Sequence, residues 1–169
     1  MWYILHCPQK NEDMILQSCR QKIDRSVLKD AFSFTCEKMR RYQGSWHLEK
    51  QKLFPEYVFL ESDDALALSK ALEPYRDIVQ VLEAGELLWP VEKSEENFLK
   101  ELCGESRHLS MSRGVIHSGK THVTEGPLKG KEQMIAKIDR HKRLAFLRLP
   151  DAKKDSYVKV GLEIVEKIV

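Results

Sequence analysis

The chain has 169 residues, 42% of them hydrophobic and 32% charged, with a net charge of +2. That balance supports one ordinary domain or two small ones and excludes a disordered polyelectrolyte. Cys7, Cys19, Cys36 and Cys103 are scattered without a CxxC pair, no apolar run reaches the ~20 residues of a bilayer span, and the first residues lack a basic signal-type start. The expectation is a reduced, cytoplasmic, soluble monomer with no membrane partner. From Lys120 onward there are 12 Lys/Arg against 7 Asp/Glu, a balance of +5, whereas the preceding residues carry 16 against 19, or −3. An acidic front and a basic tail suggest two modules with different partners.

Residues 2–7 are aromatic and β-branched enough for a strand ended by Pro8. Asn11 can cap a helix over 11–23, where Met14, Ile15, Cys19 and Ile23 recur at three-to-four spacing. Phe32, Phe34 and Cys36 alternate as a second strand, and the stretch from Lys38 to Gly44 reads as a basic loop or hairpin. Tyr57-Val58-Phe59-Leu60 is the clearest buried strand. Asp63-Asp64 caps a helix carrying Leu66, Leu68 and Leu72, which stops before Pro74. Ile78 to Leu82 is a short strand candidate, and Ser94 opens a helix that buries Phe98, Leu99 and Leu102 and ends at Gly104.

The order β-α-β-β-α-β-α predicts an α+β fold with helices against an antiparallel sheet. Residues 104–118, punctuated by Gly104, Ser106, Ser110, Ser112, Gly114 and Ser118, have the composition of a flexible linker. Beyond them, turns at Gly126-Pro127 and Gly130 separate short runs at 134–138, 144–147, 157–160 and 163–165, the pattern of a small C-terminal β-barrel.

Trp2-Tyr3, the Phe54-Pro55-Glu56-Tyr57-Val58-Phe59 run and Trp89-Pro90 ahead of an acidic helix start resemble the N-terminal domain of the NusG family. Val123 to Gly130, Ile138-Asp139 and Lys142-Arg143-Leu144 resemble a KOW domain, in the family's order and spacing. The resemblance implies an RNA polymerase-binding domain over 1–103, a linker over 104–118 and an SH3-like KOW domain over 119–169. It implies a non-enzymatic bacterial transcription elongation factor, without cofactor or metal, that docks on the clamp helices of RNA polymerase. Two departures stand out: Glu56 replaces the family's glycine, and Leu128 and Leu149-Pro150 stand where KOW loop tips usually present aromatics. With its basic KOW, the chain resembles most the LoaP antiterminators, whose implied KOW partner is a hairpin in the nascent RNA. The alternative is a housekeeping NusG whose KOW domain binds a ribosomal protein or termination factor.

Docking on a helix tip needs rigid apolar area, which Tyr3, Phe54, Pro55 and Tyr57 can supply, although aromatics at strand starts are also ordinary core residues. RNA binding needs clustered cations to neutralise phosphates. One cluster is Lys129 and Lys131 with Lys153 and Lys154; the other is Arg140, His141, Lys142 and Arg143 at a hairpin tip. Lys38, Arg40 and Arg41, beside Trp46 and His47, combine charge with stacking surface suited to upstream or non-template DNA.

Gly114 to Thr121 matches the letters G-x-x-x-x-G-K-T, but it follows a Ser/Gly stretch and leads into β-like runs, so a phosphate-binding loop is not expected. Cys103, His108, His117 and His122 are zinc-type ligands without the close pair that marks a zinc site.

Overall fold

A computed structural model describes residues 1–150 and 156–169. The α+β expectation holds, with three α-helices and three sheets among the described residues. The chain forms two compact units, one of Met1–Ser33 with Phe54–Glu96, the other of Phe34–Leu53 with Asn97–Val169.

In the first unit, strands β1 (Trp2–His6), β2 (Asp30–Phe32), β5 (Tyr57–Glu61) and β6 (Trp89–Pro90) form an antiparallel sheet in the order β2-β5-β1-β6. Alternation sends Tyr3, Leu5, Cys7, Val58 and Leu60 to one face, into a core with Ile15, Leu16 and Cys19 of α1 (Glu12–Lys22) and Leu68 and Leu72 of α2 (Ala65–Leu72). Glu12 and Asp13 start α1 while Arg20 and Lys22 end it, complementing the helix dipole. Asp64 caps α2 by accepting from the Ala67 N–H at 3.0 Å.

Several expectations change here. Asn11 occupies the N-cap of α1 and its carbonyl accepts the Ile15 N–H at 3.0 Å, but its side chain does not cap the helix; the side-chain amide instead donates to the Ile78 carbonyl at 3.1 Å. Leu66 faces solvent rather than the core. The chain past α2 continues as a 3₁₀ turn over Glu73–Ile78 with Pro74 in its first positions, and 79–82 form no strand. Gln80 N–H makes one bond to the His6 carbonyl, which fastens the segment without building a ladder.

In the second unit, β3 (Thr35–Tyr42) and β4 (Ser45–Lys52) form a hairpin, flanked by β7 (His108–Leu109) parallel to β3. Thus Phe32 to Cys36 belongs to two strands, not one, and the basic loop is a β-hairpin. Strands β8 (Ser112–His117), β9 (Lys120–Glu125), β10 (Ile135–Asp139), β11 (Leu144–Leu147) and β12 (Val158–Ile168) form a sheet in the order β10-β11-β12-β8-β9. Val158 to Ile168 is one long strand where two short runs were expected. Helix α3 (Lys93–Cys103) runs across the division between the units and is followed by Gly104 as expected.

The expected linker is also corrected. Residues 104–118 contain β7 and β8, and their small residues serve packing. A Cβ at Gly114 would lie 2.6 Å from the His122 carbonyl oxygen, and the buried Ser112 hydroxyl accepts the Leu128 N–H at 3.1 Å. Likewise the hairpin 34–53, expected within a domain over 1–103, groups with the C-terminal residues.

Candidate nucleic-acid interface

Alternation along β3 puts Glu37, Met39 and Arg41 on one face and Lys38, Arg40 and Tyr42 on the other. Register with β4 then places Trp46 opposite Arg41 and His47 opposite Arg40. Tyr42 stacks on His47 with ring centroids 3.7 Å apart, and the Arg40 guanidinium lies 6.0 Å from the Tyr42 ring. Glu49 is 3.9 Å from Arg40.

The turn between β10 and β11 is held in shape by the Asp139 carboxylate, which accepts the Lys142 N–H at 3.0 Å, and by the Arg143 carbonyl, which accepts the Leu162 N–H at 3.0 Å. Arg143 then reaches Trp46, its guanidinium carbon 4.2 Å from the ring centroid, while Glu163 pairs with it at 3.3 Å. This meeting of hairpin and turn depends on Gly161 in β12. A Cβ there would fall 2.0 Å from Met111 Sδ and 2.6 Å from the Glu37 carbonyl oxygen.

Between hairpin and turn runs a groove of about 500 Å³ lined by Lys38, Met39, Arg40, Arg41, Trp46, Gln51, His141, Lys142 and Leu144. Four of these residues are Lys or Arg and none is Asp or Glu; Arg41 shares the Trp46 face of the hairpin, whereas Lys38 and Arg40 alternate to its other face, where Glu49 lies 3.9 Å from Arg40. Two clusters expected to serve different nucleic acids, Lys38/Arg40/Arg41 and Arg140 to Arg143, therefore meet at one site, with Arg140 exposed beside it. Trp46 and Leu144 complete it with apolar surface. The signal available in the sequence was Gly161, an isolated glycine inside a strand pattern, which marks a close backbone approach.

Lys129 and Lys131 do not join this groove. They sit in the turn after β9, and Lys131 is paired with Glu101 at 3.0 Å. Lys153 and Lys154 lie outside the described residues. Leu128 is fully buried and so presents nothing at a loop tip.

The expected polymerase-docking set divides across the first sheet. Tyr3, 9% exposed, points into the core beside Leu5 and donates its hydroxyl to Met1 Sδ, so it is corrected to a core residue. Phe54, Tyr57 and the exposed Pro55 belong to the opposite side, where Phe54 packs 5.6 Å from Phe59 and Tyr57 stacks 4.7 Å from His6. Trp2 and Phe32 pack with Phe59 there, and Trp89, 38% exposed and opposite Ile4, extends the surface. Glu56 adopts a φ of +73°, the left-handed conformation that glycine tolerates, and its carboxylate lies 3.3 Å from His6 Nε2.

The G-x-x-x-x-G-K-T letters form the β8–β9 hairpin, with Ser118 and Gly119 both at positive φ in its turn and a strand, not a helix, following Lys120. All four thiols are buried, and burial pushes Cys19 up to about 11 and Cys103 up to about 12, so both stay protonated at neutral pH. No helix among the described residues is long and apolar enough to cross a membrane.

Residues 1–100 match the family model described as transcription termination factor NusG. A solved structure titled "Domain interaction in Thermotoga maritima NusG" shares the fold at a TM-score of 0.51 and 18% identity, covering 96% of this chain and 93% of that one. None of the curated proteins matches the chain at a significant level.

Proposed function

The chain belongs to the NusG family of transcription factors, and from that premise we propose that it is an elongation or antitermination factor of the LoaP kind. On this reading the aromatic side of the four-stranded sheet, with Phe54, Pro55, Tyr57 and Trp89, docks on RNA polymerase, a general partner of the family. The second unit, from β8 onward, is a KOW-type module that holds nascent RNA in the groove between hairpin and turn. The observation that carries the reading is that groove: four cations, a histidine and an indole with no carboxylate among them.

A polyanion entering it releases its condensed counterions as the lysines and arginines of the groove, Arg41 and Lys142 foremost, replace them, which supplies affinity without sequence preference. Arg can fork across phosphate oxygens while Lys acts as a mobile point charge. Trp46 adds a π-face, and bases splayed from a strand stack on such faces. Holding RNA on the same chain that holds polymerase makes RNA capture effectively intramolecular, so modest intrinsic affinity suffices.

Transcription through a terminator, with full-length protein on templates differing in leader sequence, tests this. Readthrough should rise with the wild type, and an Arg41→Gln/Lys142→Gln variant should lose most of the gain while still co-migrating with polymerase. Equal readthrough by wild type and variant would reject the groove as the RNA site. Footprinting of template and transcript in the same complexes separates RNA from upstream or non-template DNA as the bound strand.

A housekeeping role with a ribosomal protein or termination factor as KOW partner is favoured by a different feature. Val165 and Ile168 on β12 are 57% and 42% exposed, apolar surface that suits a protein. Retention of such a partner on the full chain after nuclease treatment would support that reading.

A further inference from the structure

Strand β11 buries Ala145 and Leu147 and turns Leu144, Phe146 and Arg148 outward. Cross-strand register sets Phe146 between Lys137 of β10 and Lys159 of β12, directly opposite on either side. Their ammonium nitrogens lie 5.5 and 5.6 Å from the Phe146 ring centroid. One step along, Arg148 lies 5.8 Å from the ring of Tyr157 and its Nη2 donates to the Tyr157 hydroxyl at 3.5 Å. The two rings stand edge to face with centroids 6.4 Å apart. Leu144, one rung the other way, lines the groove between hairpin and turn, so this outward sheet face continues that groove.

The charges here differ from two others on the unit. Arg143 pairs with Glu163, and Lys131 pairs with Glu101. Lys137, Arg148 and Lys159 have no carboxylate partner among the described residues. Among the described residues these three cations surround two rings without a carboxylate, a setting that favours an anion, and flexible lysine stems can yield a ring face to a flat ligand.

We propose that the Phe146–Tyr157 sheet face, flanked by Lys137, Arg148 and Lys159, is a stacking platform for unpaired nucleic acid, continuous with the basic groove. The proposal rests on the nucleic-acid reading of that groove and specifies the strandedness of the ligand. Ring centroids 6.4 Å apart are too widely spaced for bases seated on both to stack on each other, since carbon surfaces touch at about 3.5–4 Å. The strand must therefore be extended, its bases splayed one to each ring. A duplex offers base faces only at its two ends, because every interior base is covered by its neighbours in the stack. Phosphates between the splayed bases meet the lysines and arginine beside the rings.

Fluorescence anisotropy of the full chain distinguishes the outcomes, using a labelled unstructured RNA of about 10 nucleotides, within the usual site size for such folds, a blunt duplex of equal length and a DNA strand of the same sequence. The single strand should bind more tightly than the duplex. Phe146→Leu and the surface variant Tyr157→Leu should each weaken single-strand binding about tenfold, as loss of one stacked base does, with the salt slope unchanged. Lys137→Gln/Lys159→Gln should instead flatten the slope by about 0.7 per lysine. Thermal melting confirms that each variant is folded; Tyr157, 40% exposed, can be replaced without opening the core.

Preference for the RNA strand assigns the platform to the transcript, and preference for the DNA strand assigns it to opened template; both support the platform. If aromatic variants bind like wild type while Arg41→Gln/Lys142→Gln weakens, the platform is overturned and the groove stands. If duplex outcompetes single strand, the platform is likewise overturned. If no nucleic acid binds the wild type, both readings fall.

Discussion

The sheet β2-β5-β1-β6 and the sheet β10-β11-β12-β8-β9 both carry aromatic rings, but the first buries most of them whereas the second sets its outward rings beside cations. On the first, the buried Trp2, Phe32 and Phe59 pack ring against ring with the half-buried Phe54, while Pro55 and Trp89 stay exposed and the nearby His6 and Glu56 pair. On the second, the outward rings are matched to cations, Phe146 to Lys137 and Lys159 and Tyr157 to Arg148, while the hairpin's own Trp46 receives Arg143 from the turn. An aromatic surface with little net charge gains from burying area against an apolar partner, whereas one ringed by cations gains from anions and flat bases. One ring type thus serves two recognition chemistries, chosen by the residues beside it.

The largest effect is expected at Gly161. Gly161→Val would drive a side chain into Met111 and the Glu37 backbone, forcing the hairpin off β12. Overpacking of this kind costs about 2–3 kcal/mol, read as a fall in denaturation midpoint. RNA affinity should fall with it, because the groove needs both walls. A variant with unchanged stability and RNA affinity would show that the hairpin and turn do not cooperate.

Next in size is the neutral face. Tyr57→Ala should weaken polymerase binding by about 2 kcal/mol, roughly thirtyfold, if Tyr57 is an anchor of that surface. Tyr3→Phe, which removes only the hydroxyl that donates to Met1 Sδ, should leave binding unchanged. Equal loss in both would point to general destabilisation instead of a surface that recognises polymerase.

How far these faces could be read beforehand depended on local pattern. Helices α1 and α2 announce themselves through apolar spacing and the Asp64 cap, and β5 through its unbroken apolar run. The face assignment of β1 did not, because Trp2, Ile4 and His6 alternate with Tyr3, Leu5 and Cys7, and neither set is clearly polar. Tyr3 and Phe54 therefore look alike in the sequence although a sheet separates them. Strand β4, sequence SWHLEKQK, has only Trp46 and Leu48 as large apolar residues and so looks like loop. The serines and glycines of 104–118 imitate a tether, although they are there for backbone approach and a buried hydroxyl. Above all, the groove joins residues a hundred positions apart, and nothing in either basic cluster names its partner.

A smaller effect sharpens the coupling of Trp46 to Arg143. A double-mutant cycle with Trp46→Leu and Arg143→Gln should return about 1 kcal/mol of coupling in stability, the worth of a cation over an indole at a half-exposed site. The result bears on recognition, since an Arg143 held over the indole and paired with Glu163 is committed to building the groove wall, leaving Lys142 and Arg41 to meet phosphate. Coupling near zero would release Arg143 as a ligand-binding residue.

The smallest effect concerns the turn that carries Lys129 and Lys131. Glu132 lies below the ordinary glutamate range because backbone N–H groups, its own first and then those of Val123 and Gly130, favour its charged form. One carboxylate oxygen accepts Val123 N–H at 3.1 Å and Gly130 N–H at 3.4 Å, tying β9 to the turn. A depressed carboxylate stabilises the fold above the unfolded glutamate value, about 4.3, and that stability is lost as pH falls through the folded value. Glu132→Gln keeps an acceptor but loses the charge, so it should cost under ~1 kcal/mol at pH 7. The stability difference between wild type and variant should then shrink as the pH falls below about 4.3. RNA affinity at neutral pH should change little, because Lys131 is already paired with Glu101 and neither lysine lines the groove. A large loss of RNA binding in this variant would move the nucleic-acid surface from the cation-ringed face to the turn, and the contrast between the two sheets would no longer explain which partner each one takes.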